Sequence, residues 1–182
     1  MLTEPHGALL DRCLRGDRRA QYQVYNLYAK AMYNVSYRIL QQTQEAEDVL
    51  QEAFLDAFLK LSTFRRESSF GAWLKQIVVR KAINQLRTRR EVLFSIDSPA
   101  AQEVDLGEDT EFWESTDSLE PILQALSRLP EGYRTVLSLY LFEGYDHEEI
   151  SQILGISEVT SRTQYVRAKK RLMEMIQNRT DS

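Results

Sequence analysis

Apolar residues recur with the period of an α-helix in three segments of the first 94 residues. After Asp17 they are spaced by three or four positions, which places them on one face of an amphipathic helix. This predicted face consists of Tyr22, Tyr25, Tyr28, Met32, Val35 and Ile39. A second helix is predicted to begin at Thr43, and a third to cover about residues 69–90. The sequence contains no strand pattern, so we expect an all-α fold.

The second predicted helix has two faces of opposite character. Its apolar face consists of Ala46, Val49, Leu50, Ala53, Phe54, Ala57, Phe58 and Leu61. Its other face, mostly acidic and polar, consists of Asp48, Gln51, Glu52, Leu55 and Asp56. The third helix interleaves apolar residues (Trp73, Leu74, Ile77, Val78, Ala82, Ile83 and Leu86) with basic ones (Lys75, Arg80, Lys81 and Arg87). Three consecutive helices with apolar stripes predict a helical bundle.

The last third of the chain has the pattern of a helix-turn-helix. Helices are predicted near residues 119–128 and 131–142, with Pro121 and Pro130 at their starts, where proline is tolerated. A short helix then ends at Gly155, and a second one begins after Ser157, a good N-cap residue. This second helix is rich in basic residues, namely Arg162, Arg167, Lys169, Lys170 and Arg171. A basic second helix after a glycine turn is typical of a unit that binds the DNA major groove.

The net charge of −4 conceals three blocks of different sign. Residues 1–94 carry 15 Lys and Arg against 10 Asp and Glu, whereas residues 95–118 carry 8 acidic residues and no basic one. Residues 119–182 carry 8 basic and 9 acidic residues. The acidic block also contains Pro99 and Gly107 and no sustained period, so we interpret it as a flexible linker. Two small helical domains, 1–94 and 119–182, joined by the acidic linker 95–118, are therefore predicted.

Several classes of function are disfavoured by the composition. Cys13 is the single cysteine, which excludes a disulfide framework and a cysteine-based metal site and suits a reducing cytoplasm. No apolar run is long enough to cross a bilayer, and no signal peptide opens the chain. His6 and His147 are isolated in the sequence. We therefore expect no membrane insertion, no metal or other cofactor, no small-molecule substrate and no enzymatic activity.

Four motifs in order carry a resemblance to a known family. They are the acidic helix Glu45–Phe54 (EAEDVLQEAF), the segment Phe64–Leu74 (FRRESSFGAWL), the segment Leu126–Arg134 (LSRLPEGYR) and the helix-turn-helix. This arrangement resembles a bacterial extracytoplasmic-function sigma factor over nearly the whole chain. The resemblance implies a protein that joins core RNA polymerase, directs it to promoter DNA and helps to open the duplex. An anti-sigma protein is a further partner that is common in that family.

The resemblance assigns two surfaces to the N-terminal domain. The helix Glu45–Leu61 would bind core polymerase through Asp48, Gln51, Glu52, Leu55 and Asp56. The loop Phe64–Phe70 and the following helix would melt the minus-ten element and bind an unpaired base, through Phe64, Ser68, Ser69, Phe70, Arg80, Lys81, Asn84 and Arg87. An unstacked base needs an aromatic or apolar wall and hydrogen-bonding groups at its edge, which these residue types supply. Alternatively, Phe64, Phe70 and Trp73 are core residues, and the acidic face is only solvated.

The second helix of the helix-turn-helix would recognise the minus-thirty-five element. Its predicted inward stripe consists of Ser161, Tyr165, Ala168 and Leu172. Its predicted DNA-facing residues are Arg162, Thr163, Val166, Arg167, Lys169 and Lys170, since Arg can bond two acceptors of guanine and Lys mostly contacts phosphates. The alternative function is a stand-alone helix-turn-helix regulator with an N-terminal dimerisation or sensing domain. Such a regulator has no need for the loop and basic helix of residues 64–90.

Overall fold

The computed structural model describes residues 6–89 and 119–180, with side chains described as far as residue 178. The described residues form eight α-helices and one short 3₁₀ helix, and they contain no strand, which confirms the predicted all-α class. The chain divides into two compact units after Arg89. The predicted linker 95–118 lies outside the described residues, so the exact domain boundaries stay a prediction.

The N-terminal unit is built from four helices. They are α1 (Gly7–Leu14), α2 (Arg18–Leu40), α3 (Thr43–Leu59) and α4 (Phe70–Arg89). The 3₁₀ turn Leu61–Thr63 follows α3. Helices α2, α3 and α4 each pack against the other two, and α1 packs against α2. A three-helix bundle with one additional short helix therefore surrounds the core of this unit.

Asp17 is the N-cap of helix α2, which begins at Arg18. One Asp17 carboxylate oxygen accepts hydrogen bonds from the backbone N–H groups of Arg19 (2.9 Å) and Ala20 (3.2 Å). The Arg12 guanidinium also donates to this carboxylate (2.7 Å) and, together with the backbone bonds, lowers the pKa of Asp17. An N-cap of this kind satisfies amide groups that lack partners within the helix.

The predicted apolar stripe of α2 is wrong at its first position. Tyr22 is 67% exposed, whereas Ala20 and Val24 are fully buried. Tyr22 is two positions from each of them and so points about 200° away around a helix with 3.6 residues per turn. Met32, Val35 and Ile39 are buried as expected. The helix α1, which holds its place through buried Leu10 and Cys13, was not predicted.

The apolar face of α3 is confirmed. Ala46, Val49, Leu50, Ala53, Phe54, Ala57 and Leu61 are all buried, and Phe58 is half-buried. On α4, the predicted residues Leu74, Val78, Ala82, Ile83 and Leu86 are buried, while Trp73 and Ile77 are only half-buried. Val79 also belongs to this core, although the sequence pattern did not single it out.

The C-terminal unit also contains four helices. They are α5 (Leu119–Ser127), α6 (Glu131–Leu141), α7 (His147–Leu154) and α8 (Glu158–Thr180). Helix α8 packs against each of the other three. The predicted inward stripe of α8 is confirmed, because Ser161, Tyr165, Ala168 and Leu172 are all buried. Neither this unit nor the N-terminal one contains, among its described residues, a helix long and apolar enough to cross a membrane.

The helix-turn-helix is fixed at each end of its turn by local hydrogen bonds. Asp146 and Glu149 form a reciprocal capping box at the start of α7. Gly155 ends α7 with φ of 68°, a left-handed conformation that glycine adopts at low cost. The Ser157 hydroxyl accepts from the backbone N–H of Thr160 (3.0 Å) and so caps α8. The predicted roles of Gly155 and Ser157 are thus confirmed.

Candidate protein and nucleic-acid interfaces

The outer face of α3 is an exposed stripe of mixed polar and apolar character. Asp48, Gln51, Glu52 and Leu55 are all exposed, Leu55 by 64%. Leu59, four residues after Leu55 and therefore on the same side, is 80% exposed. Leu59 was absent from the predicted set, although its spacing from Leu55 was visible in the sequence. A helix with two exposed leucines among acidic and amide side chains is suited to bind another protein.

Asp56 lies at the edge of this stripe and faces α4. Its carboxylate forms ion pairs with Lys81 (3.2 Å) and Lys60 (3.3 Å). The hydrogen bond from Lys81 is the main reason that the pKa of Asp56 lies below its usual value. Asp56 is therefore less available to a partner protein than Asp48 or Glu52.

Lys81 lies beside α3 and not within the exposed stripe of α4, so its role as a DNA contact stays a prediction. Its ammonium group binds Asp56 and, more distantly, Glu52 (3.4 Å), and its side chain is only 22% exposed. Because 81 is one position from 80, its side chain is turned about 100° away from that of Arg80. Lys81 thus connects α3 to α4.

An aromatic cluster lies beneath the loop of residues 64–69. The ring of Phe64 lies 5.8 Å from that of Phe70 and 5.2 Å from that of Trp73. Phe70 also contacts Trp73 (5.7 Å) and Tyr28 (5.3 Å). Phe70 has no exposed surface, so its prediction as a wall for an unpaired base is wrong in this conformation. Phe64 and Trp73 are half-buried, in contrast to Phe70.

Ser68 and Ser69 are exposed at the end of this loop. The Ser69 hydroxyl accepts from the backbone N–H of Ala72 (3.2 Å), so it caps the first turn of α4. The Ser68 hydroxyl has a long contact to the Ser69 carbonyl (3.4 Å). Ser68 is therefore better placed than Ser69 to exchange its hydrogen bond for one to a ligand.

Helix α4 carries an exposed polar stripe behind the loop. Arg80, Asn84 and Arg87 are exposed and are spaced by four and three positions. Gln76, four residues before Arg80, is also exposed and was not predicted. Trp73 lies on the same side at the loop end of the helix. The stripe thus combines a ring, two amides and two guanidinium groups on one helical face.

The exposed face of α8 is centred on residues that differ slightly from the predicted set. Thr163 and Val166 lie opposite the buried stripe, as does the exposed Lys170. Val159, which is 58% exposed, lies on the same face four residues before Thr163 and was not predicted. Arg162 and Arg167 are five positions apart, or about 140° around the helix, and so lie on opposite sides of this face.

The Arg162 side chain is engaged within α8. Its guanidinium forms an ion pair with Glu158 one turn earlier, with 3.2 Å from Nε to the carboxylate. Lys169 and Arg167 are half-buried, and Lys170 is exposed. Binding of Arg162 to any anionic ligand requires that it exchange Glu158 for that ligand.

Both histidines pack against aromatic rings, although each is isolated in the sequence. The His147 ring stacks on Tyr140 (4.7 Å), and its Nδ1 lies 2.9 Å from the Ser161 hydroxyl. His6 contacts the edge of Tyr28 at 5.9 Å. The described residues contain no group of His, Cys, Asp and Glu side chains that could hold a metal ion. These histidines therefore have packing roles, and that of His147 is to join α7 to the start of α8.

Comparison with known proteins identifies relatives of both units. The family described as Sigma-70 region 2 matches residues 24–92, and Sigma-70, region 4, matches residues 119–172. The RNA polymerase sigma-H factor of Pseudomonas aeruginosa is 32% identical, with 97% of each chain covered. The ECF RNA polymerase sigma-E factor of Haemophilus influenzae is also 32% identical, with 94% of this chain and 93% of the relative covered.

A solved structure with a similar fold comes from Bartonella quintana. It is the sigma factor RpoE in complex with the anti-sigma factor NepR, with a TM-score of 0.55 and 27% identity. The alignment covers 86% of this chain and 96% of that one. The similarity therefore includes both helical units.

Proposed function

The chain belongs to the extracytoplasmic-function group of the sigma-70 family, and from this we propose how its surfaces divide the work of a sigma factor. A sigma factor binds core RNA polymerase and directs transcription initiation at promoters. The chain thus acts as a DNA-binding initiation factor.

The outer face of α3 is the main contact with core polymerase. Asp48, Gln51, Glu52, Leu55 and Leu59 form this contact, with Asp56 at its edge. Exposed leucines between acidic side chains support this assignment, because burial of apolar surface supplies affinity and charge supplies orientation.

The loop of residues 64–69 and the exposed stripe of α4 bind the melted minus-ten element. An unpaired base stacks against the accessible parts of Phe64 and Trp73, and Ser68 contacts its edge. Gln76, Arg80, Asn84 and Arg87 bind the adjoining strand, and Ser69 caps the helix that presents them. The continuous stripe from Trp73 to Arg87 is the observation that carries the proposal, since a stand-alone helix-turn-helix regulator does not need it.

The C-terminal unit recognises the minus-thirty-five element through α8. Val159 and Val166 can contact thymine methyl groups, while Thr163 and the two flanking arginines reach base edges. Lys169 and Lys170 lie about two turns after Thr163 and contact phosphates. The first residues of the second helix read bases in other helix-turn-helix proteins, which favours this order.

The protein works in the cytoplasm, without catalytic activity or a cofactor of its own, and an anti-sigma protein regulates it. The Bartonella quintana relative with a similar fold is bound to such a partner. The partner covers the exposed surfaces that polymerase would otherwise occupy.

Transcription in vitro tests this function. We expect the full chain with purified core polymerase to transcribe from a subset of a randomised promoter library, with shared sequences near positions minus ten and minus thirty-five. Specific binding of a symmetric duplex site by the protein alone, without any polymerase-dependent transcription, would favour the stand-alone regulator instead.

Substitutions in α8 are expected to separate base readers from phosphate contacts. We expect at least one of the variants Arg162→Ala and Arg167→Ala to lose about 1–3 kcal/mol of DNA-binding free energy. The same variant should show a relaxed base preference at one minus-thirty-five position. Lys170→Ala should weaken binding to all sequences and lower the salt slope by about one. Promoter selection with each mutant holoenzyme measures both effects. An unchanged minus-thirty-five preference in both arginine variants would contradict our orientation of α8 on DNA.

A further inference from the structure

Helix α1 contacts the loop of residues 64–69 through the side chain of Arg66. The Arg66 guanidinium forms an ion pair with Asp11, 55 residues earlier in the chain. A Cβ atom placed on Gly7 would lie 3.7 Å from Nη1 of Arg66, so the start of α1 lies beside the same guanidinium. The ion pair therefore joins the loop to a helix that is distant from it in the sequence.

The backbone at Arg66 has an unusual conformation. Its φ of 59° lies in the left-handed region of the backbone, which residues other than glycine rarely adopt. Such conformations persist where the surrounding structure holds them. The ion pair with Asp11 is positioned to do this, because it ties the side chain of that same residue.

A second connection runs from α1 to the loop through aromatic rings. His6, immediately before α1, contacts Tyr28, and Tyr28 contacts the buried ring of Phe70. Phe70 in turn supports Phe64, the first residue of the loop. Helix α1 is itself anchored in the core by Leu10 and Cys13, which are 1% and 4% exposed. The loop therefore receives support from α1 at both Phe64 and Arg66.

We propose that Asp11 is a positioning residue that holds the loop of residues 64–69 in the conformation that captures the unpaired minus-ten strand. This inference rests on the minus-ten role proposed above for the loop. Asp11 touches no DNA in this scheme and acts only through Arg66. Its side chain is 46% exposed and that of Arg66 is 43% exposed, so the pair contributes little to overall stability. Its effect lies in restricting the loop.

Because Asp11 is negatively charged, its removal can change strand binding in two opposite directions. Removal of an acidic group and release of Arg66 would, by electrostatics alone, strengthen binding to a nucleic acid strand. Loss of loop positioning would weaken it. The two effects have opposite signs, so the direction of the change decides between them.

The experiment uses the full chain with Trp113→Phe, which leaves Trp73 as the single fluorophore of its kind. Trp73 contacts Phe64 at 5.2 Å and so reports on the packing of the loop. We expect Asp11→Ala to increase acrylamide quenching of Trp73 without a change in the unfolding midpoint. Holoenzyme containing this variant should bind a non-template-strand oligonucleotide of a library-selected promoter about 1.5- to 5-fold more weakly, the range expected for an exposed ion pair.

Asp17→Asn is the matched control, because it also removes an acidic charge and breaks an exposed ion pair with α1, that of Arg12, which does not involve the loop. Asparagine can still cap α2, so the fold should be kept. This control should leave quenching unchanged and strand affinity unchanged or slightly higher, whereas Asp11→Glu should keep both at the wild-type level. Unchanged quenching, or unchanged or tighter strand binding, in Asp11→Ala would overturn the positioning role. Arg80→Ala and Asn84→Ala test the underlying function separately. If neither weakens strand binding, the minus-ten assignment itself is wrong.

Discussion

The double substitution Asp48→Lys and Glu52→Lys is expected to weaken assembly of the holoenzyme by about 100-fold. Placing two positive charges where the partner surface accepts negative ones costs several kcal/mol, and each 1.4 kcal/mol corresponds to about tenfold in affinity. The fold should survive, because both side chains are exposed and Glu52 has only a 3.4 Å ion pair with Lys81. Competition with a labelled wild-type chain for core polymerase measures the loss.

Glu47→Lys provides the control for this change of charge. Glu47 is exposed on the same helix, one turn before Gln51, and lies at the edge of the outer face, about 80° around the helix from Leu55 and about 100° from Asp48. We expect the Glu47 variant to bind core polymerase within about threefold of the wild type. Equal losses in the Glu47 variant and the double variant would mean that net charge matters and that the outer face of α3 is not the contact.

Replacement of Phe70 by Ala is expected to destabilise the N-terminal unit by about 3–5 kcal/mol. Phe70 is the largest of the fully buried side chains there and contacts Phe64, Trp73 and Tyr28. Domains have only about 5–15 kcal/mol of stability, so a large share would be lost. Urea unfolding followed through Trp73, with Trp113 replaced by Phe, measures the unit in which Phe70 lies.

The functional consequence of Phe70→Ala distinguishes a core role from a direct role in melting. We expect similar defects on duplex promoters and on promoters already mismatched at the minus-ten region, because the variant disturbs the whole loop. Phe70→Leu, which keeps most of the buried volume, should recover much of the stability. A selective defect on duplex promoters in a variant of near wild-type stability would instead restore Phe70 as a melting residue.

Periodicity predicted the helices well because burial follows the helical repeat. The apolar face of α3 and the inward stripe of α8 lie where the spacing placed them. The error at Tyr22 arose because an aromatic residue was assumed to face the core, whereas the small Ala20 does so. Helix α1 was missed because eight residues with a glycine at the start give too short a pattern.

The limits of sequence reasoning at the candidate sites have a different cause. Whether Lys81 faces solvent or Asp56 depends on the packing of α4 against α3, which no local pattern encodes. The same holds for Phe70, whose burial depends on rings from α2 and from the loop. The ion pair between Asp11 and Arg66 joins positions 55 residues apart. The predicted DNA-facing residues of α8 needed no such information and stay as proposed, with Val159 added.

The caps of the helix-turn-helix have a consequence for the order in which the chain folds. The free backbone groups at these helix ends are capped by residues within about one turn. The caps are the pair Asp146 and Glu149, the residue Gly155, and the pair Ser157 and Thr160. Contacts of such short range require little loop closure, so the pair α7–α8 can begin to form before the longer-range packing with α5 and α6. Synthesis proceeds from the N-terminus, so we expect the N-terminal unit, with its α3 face, to fold before the C-terminal unit is complete. Each unit thus acquires its binding surface from its own contacts.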